Sequence, residues 1–251
     1  MTENRNDLEN VEVTENSSVV APSVDINEKI ENKDPKIAVI LLPALYHSLS
    51  YIGVLKSFEE KKITILKIGG AELGFLIAEA YARTAKANLV EWYFYQWMSD
   101  LEKSDKPFSK SWNKKTVEKF STIFSKLDKK DFFLGANETI EQGLNDEKEI
   151  TSWDHYLEGF DKVVVLNALN VPLKFQQPTQ KKLEEKYKRL QKKYQIKNSP
   201  NFLFFNIKLT NIPLDSLQEA TQIIRQGEEQ GKKIAQQLSL LIKDWNLRST
   251  Y

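Results

Sequence analysis

The sequence predicts an α/β domain built on a mostly parallel β-sheet, and three observations predict it. Short apolar runs with strand character alternate with longer helical patterns from Lys36 onward. These runs read as buried strands, and strands alternating with helices argue for a mostly parallel sheet covered on both faces. The 251 residues, 41% hydrophobic and 28% charged, suit one domain with a sizeable core.

The elements follow in order. Residues 1–34 carry nine acids against three bases, a net charge of −6 in a chain whose total is +1. They lack aromatics and hydrophobic periodicity, so the sequence predicts a disordered acidic tail before a folded domain at 35–251. The opening "MTENRNDLENVEVTENSS" has neither a basic n-region nor an apolar h-region and does not read as a secretory signal. "KIAVILL" (Lys36–Leu42) reads as a buried strand, followed by a helix over Ser48–Glu60 and a second strand over Thr64–Ile68. A long helix is predicted over Leu73–Leu101 and another over Thr116–Leu127. "DKVVVLNAL" (Asp161–Leu169) and "NFLFFNIKL" (Asn201–Leu209) are two further strands. A helix over Thr179–Tyr194 separates them, and a last helix spans about Leu214 to Trp245. In such a sheet, sites lie at the carboxyl ends of strands, after Leu42 and Ile68.

Two lysine-rich helices carry apolar stripes. Val117, Phe120, Phe124 and Leu127 form one, and Leu183, Tyr187, Leu190 and Tyr194 the other. Stripes packed on the sheet with lysines in water are the expected reading, with a membrane-surface or partner face as the alternative. The aromatic block "EWYFYQWM" (Glu91–Met98) is likewise expected to wedge into the core, with a lipid or partner surface as the alternative for Trp92, Tyr95 and Trp97.

The segment "KIGGAELGFLIAEAYA" (Lys67–Ala82) has the strand, glycine turn and helix in which α/β hydrolytic folds hold a Gly-x-Ser-x-Gly nucleophile. The frame here is Gly70-Ala71-Glu72-Leu73-Gly74, with glutamate at the serine position. At the start of a helix a carboxylate also suits the macrodipole, so Glu72 is expected to act as a structural cap.

Other chemistries find little. Zero cysteines exclude disulfides, thiolate metal sites and a thiol nucleophile, and two histidines make no metal cluster. "GGAELG" lacks the Lys-Ser/Thr of a phosphate loop, and Glu72 would repel phosphate. His47 beside Ser48 invites a Ser–His pairing, but a structural histidine is the expected reading, and His155 stands apart. No apolar run nears the roughly 20 residues of a membrane span. The lysines lack a nucleic-acid binder's interleaving. No cofactor, metal or nucleic acid is expected, and a cytoplasmic location is.

Residues Ile37 to Ala82 resemble the patatin-like phospholipase family, specifically its small bacterial esterase-like members. "YIGVLKSFEE" (Tyr51–Glu60) is similar to the family's "HIGVLKALEE"-like stretch, and "AEAYA" (Ala78–Ala82) to its "GALYA"-like run. Further on, "LEGFDKVVVLNALN" and "LDSLQEATQIIRQGEEQGKKIA" resemble its late strand and closing helix, with the Ile224-x-x-Gly227 step. The resemblance implies a three-layer fold, a central sheet flanked by helices, and a site of three parts: nucleophilic serine, aspartate and glycine-rich oxyanion loop. By the same fit each part is altered. The oxyanion loop becomes Leu42-Pro43-Ala44-Leu45, its basic residue falls on His47, and the nucleophile falls on Glu72 between Gly70 and Gly74. The acid falls on Glu141 in Glu141-Gln142-Gly143, or is absent if "FFLGANETIEQG" is instead an earlier family strand.

The expectation is therefore a catalytically inactive pseudoenzyme serving as a binding, regulatory or scaffold subunit, beside an active relative or at a lipid surface. The alternative is a lipid acyl hydrolase whose nucleophile has moved to Ser48 or Ser50. A third reading is a small-ligand pocket lined by the altered loop.

Overall fold

The computed structural model describes residues 34–101, 133–134, 157–170, 178–193 and 200–248. The predicted acidic tail up to residue 33, the helix over 116–127, His155 and Glu141 lie outside the described residues.

The strands are β1 (Ile37–Leu41), β2 (Ile65–Gly70), β3 (Phe133–Leu134), β4 (Lys162–Asn167) and β5 (Phe202–Asn206). They form one sheet in the order β3-β2-β1-β4-β5, and every pairing is parallel. The parallel α/β architecture expected from the sequence is thus present. β1 lies at the centre and is buried along its whole length, which is why it reads as an unbroken apolar run.

Between the strands lie α1 (Ser50–Glu60), α2 (Leu73–Thr84), α3 (Ala87–Leu101) and α4 (Pro178–Lys193), and α5 (Ala220–Arg248) follows the last strand. Short 3-10 turns, Leu45–Leu49 and Leu217–Glu219, lead into α1 and α5. Ile37, Val39 and Leu41 of β1 join Val164 and Leu166 in the larger core, to which every described helix contributes. Ala38, Ile40, Val163 and Val165 form the other face, packed with Leu157, Phe160 and Phe202.

One predicted element is corrected. The helix expected over Leu73–Leu101 is two helices, broken where Ala85 adopts a left-handed conformation (φ 50°). Thr84 Oγ1 accepts the Lys86 N–H (3.3 Å), and Glu59 of α1 accepts the Ala87 N–H that opens α3 (2.6 Å). The hydrophobic period continues across the break, so periodicity alone could not reveal it. The aromatic block then divides. Phe94 and Trp97 meet edge to face inside the core, while Trp92 faces solvent.

α1 and α5 pack backbone against backbone. A Cβ on Gly53 would strike the Ile224 carbonyl and Glu228 amide, and one on Gly227 the Ser50 carbonyl. One on Gly231 would lie 2.7 Å from Val54 Cα. No described helix is long and apolar enough to cross a membrane.

Candidate functional site

β1 and β2 are neighbours in register Leu41↔Gly70, so the loops after them meet at the carboxyl edge of the sheet, as expected. The β2 strand runs two residues further than predicted, through both glycines. Ala71 N–H then donates to Leu41 O (3.1 Å), tying the two loops together. Both flanking glycines are needed for this turn. A Cβ on Gly70 would lie 2.5 Å from the Gly74 backbone, and one on Gly74 2.8 Å from Leu41 O.

Glu72 sits at the apex with φ 52° and ψ −123°, a strained backbone for a non-glycine residue. Its carbonyl accepts the Phe75 and Leu76 N–H groups of α2. Its side chain makes no capping hydrogen bond, which corrects the expectation of a structural cap. The carboxyl group turns instead to α4, where the Tyr187 hydroxyl donates to it and Lys186 lies close enough to attract it. Burial outweighs both and raises the Glu72 pKa. Burial and the neighbouring Glu72 also push Tyr187 far up, and Tyr46 adds to that push.

The facing loop has few donors to offer. Leu42 N–H donates to Leu166 O (3.0 Å), Pro43 has no N–H, and Ala44 N–H donates to Ser48 Oγ (3.2 Å). Leu45 carries a positive φ of 49°. Ser48 and Ser50 are fully buried, and Ser50 Oγ donates to His47 O (2.7 Å).

His47 is fully buried and faces carbonyl oxygens on both sides. Nδ1 lies 3.3 Å from Ala168 O, and Nε2 lies 3.3 and 3.2 Å from Ile212 O and Pro213 O. Burial lowers its pKa despite these acceptors and the nearby Asp215. Neutral imidazole donates from one nitrogen only, and its other nitrogen is turned to a carbonyl rather than to open space. The ring therefore staples its own turn to one of these two segments and lies against the other, with no open nitrogen to act as a base. Tyr51 is a second staple, donating to Leu42 O (2.7 Å) and accepting the Ala168 N–H (3.0 Å).

α4 lies across this edge of the sheet. Gln180, Leu183, Tyr187 and Gln191 recur at spacings of 3, 4 and 4, which places them on one face. Gln180 bonds Asp215 and the Leu214 N–H, Tyr187 bonds Glu72, and Gln191 donates to Pro43 O (2.9 Å) and Asn167 Oδ1 (2.8 Å). Of the predicted stripe, Leu183 and Tyr187 lie on this face, Tyr194 and the Leu190 side chain lie outside the described residues, and sequence reasoning missed the two glutamines. The signal available was their spacing, since polar residues on an otherwise buried face imply polar partners.

The structure thus brings together Leu42, Pro43, Ala44, Leu45, His47, Gly70, Glu72 and Gly74. Within "FFLGANETIEQG", Phe133 and Leu134 form a strand, β3, paired with β2 on the side away from β1. No cluster of three potential metal ligands occurs among the described residues. In comparison with known proteins, no family model matches the chain and no curated protein is significantly similar to it.

Proposed function

We propose that the chain is a patatin-like, three-layer α/β domain that has lost its ester-hydrolysing machinery and serves as a non-catalytic binding or regulatory subunit. The observation that carries this reading is the Tyr187–Glu72 hydrogen bond: it puts α4 on the elbow position from which a nucleophile would attack. The strained φ and ψ of Glu72, retained between two sterically required glycines, support descent from an elbow that once held a nucleophile. The loop opposite supports loss of function, because the N–H groups of Leu42 and Ala44 are spent within the protein and Pro43 has none. Each missing oxyanion donor costs roughly 10²–10³ in rate, and a missing nucleophile costs more.

The test is labelling with a fluorophosphonate, run beside hydrolysis of p-nitrophenyl esters and phospholipid vesicles. Neither wild type nor Glu72→Ser is expected to label or turn over substrate, because restoring the hydroxyl does not restore the donors. Esterase activity in Glu72→Ser would mean that the loop still forms an oxyanion hole. Wild-type labelling that disappears in Ser48→Ala or Ser50→Ala would establish the displaced-nucleophile hydrolase instead.

A further inference from the structure

At the amino end of the strands, opposite the elbow, lies a groove of about 480 Å³. Its walls are Pro35 and Ile37 at the start of β1, the turn from α1 to β2, and α5 from Gln236 to Lys243. Buried Ile37 and Ile63 with Leu240 and Ile242 make an apolar lining, and Lys61, Lys62 and Lys243 stand around it. None of the three lysines forms an ion pair among the described residues. The single lining acid, Asp34, has Oδ1 engaged by the Asn246 amide (3.0 Å). The groove is therefore apolar inside and cationic at its edge.

Two features mark it as more than surface relief. On α5, Gln236, Leu240, Lys243 and Leu247 recur at spacings of 4, 3 and 4 and are all exposed, forming one stripe beside the groove. Leu247 and Leu240, 65% and 56% exposed, are the most exposed large hydrophobic residues among those described. The helix already buries a separate stripe through Ile234, Ala235 and Leu238, so its own core does not need them. The second feature is Lys62. Lys62 N–H donates to Glu59 O and Ile63 N–H to Phe58 O, a helix ending in which the left-handed position is usually glycine. Here a lysine that lines the groove holds that position at φ 56°. Strain retained at a groove points to use of the side chain.

We propose that this groove and stripe dock an acidic amphipathic helix of a partner protein. Its apolar face would lie on Leu240 and Leu247 and fill the groove, and its carboxylates would meet Lys61, Lys62 and Lys243. A flat bilayer does not fill a concave cavity. A second copy seated on the same patch would bring lysine against lysine. The inference rests on the non-catalytic reading only in giving that reading's partner a chemistry. The groove and the elbow lie at opposite ends of the strands, so a binding assay and a hydrolysis assay fail independently.

The experiment is fluorescence anisotropy of the full chain with designed helical peptides. The probe has leucines at i, i+3, i+4 and i+7 and glutamates elsewhere. One control replaces its glutamates with lysines, and another replaces its leucines with serines. Saturable binding of the acidic leucine peptide alone is expected, weakening with added salt. Leu240→Asp is expected to weaken it roughly tenfold or more, as loss of a central anchor does. Lys62→Gly separates binding from folding, because it relieves the backbone and raises the melting temperature yet weakens the peptide. Absence of saturable binding, equal binding of the lysine peptide, or indifference to Leu240→Asp and Lys62→Gly overturns the proposal. So does a result in which Leu240→Asp abolishes dimerisation or binding to phosphatidylserine vesicles but leaves peptide affinity unchanged.

Discussion

Glu72 combines a strained backbone with a half-buried carboxyl group whose pKa is raised by desolvation. Holding a non-glycine residue in such a conformation costs on the order of 1–3 kcal/mol, offset here by the Tyr187 bond and the packing of both loops. Its raised pKa has a definite consequence for stability. The folded protein holds the Glu72 proton to higher pH than the unfolded chain, so the group's contribution is fully present below the ordinary glutamate pKa. It is lost as pH rises through the raised value. Glu72→Gln keeps the size and polarity but cannot ionise. The difference in melting temperature, Glu72→Gln minus wild type, is therefore expected to grow more positive from acid to mildly alkaline pH. A carboxylate acting as a helix cap would have a lowered pKa, and melts at a series of pH values would then show the opposite trend.

Between elements, close approach is bought with glycine. Gly→Ala at a solvent-exposed helix position gains about 1 kcal/mol. At Gly53 and Gly227 the added methyl meets backbone atoms of the facing helix, which cannot move independently. Gly53→Ala and Gly227→Ala are each expected to cost about 1–3 kcal/mol. In a domain of this size that lowers the melting temperature by about 2–4 °C per kcal/mol. An unchanged or higher melting temperature would mean that α1 and α5 are not in backbone contact. The same helix also serves an extended segment after β5. Gln230 pairs with both backbone groups of Lys208, and Gln226 with both of Thr210, so two side-chain amides take the place of a neighbouring strand.

Across the folded unit, the tightest packing surrounds β1 and the α1–α5 pair, and α4 is held differently. It reaches its neighbours through Leu183, Tyr187, Gln180 and Gln191, without the backbone contact that α1 makes with α5. Its outward residues are Lys181, Lys182, Glu185, Lys186, Lys188, Arg189 and Lys192, which add solubility rather than adhesion. Local opening follows buried apolar contact, so amides of α4 are expected to exchange faster than those of α1 and of α5 through Leu238. Hydrogen exchange read by mass spectrometry checks this order. Protection of α4 equal to that of α1 would mean that the cover over Glu72 is an integral part of the core.

What the sequence by itself determined was local in origin. The apolar runs placed β1, β2, β4 and β5 to within a few residues, and Gly70 and Gly74 located the sharp turn after β2, because strand character and glycine sterics act over a few positions. Only the tertiary structure decided what those pieces do to one another. The break at Ala85 depends on Glu59 reaching Ala87 from another helix. His47 becomes a staple because Ala168 and Pro213, more than 120 positions away in the chain, bring their carbonyls to its ring. Glu72 changes from an expected cap to a half-buried partner of Tyr187 because α4 crosses the strand ends, a placement no local pattern encodes. The exposed leucines of α5 have the same periodicity as the buried ones, and which stripe faces the core is settled by the packing of α1 against glycine.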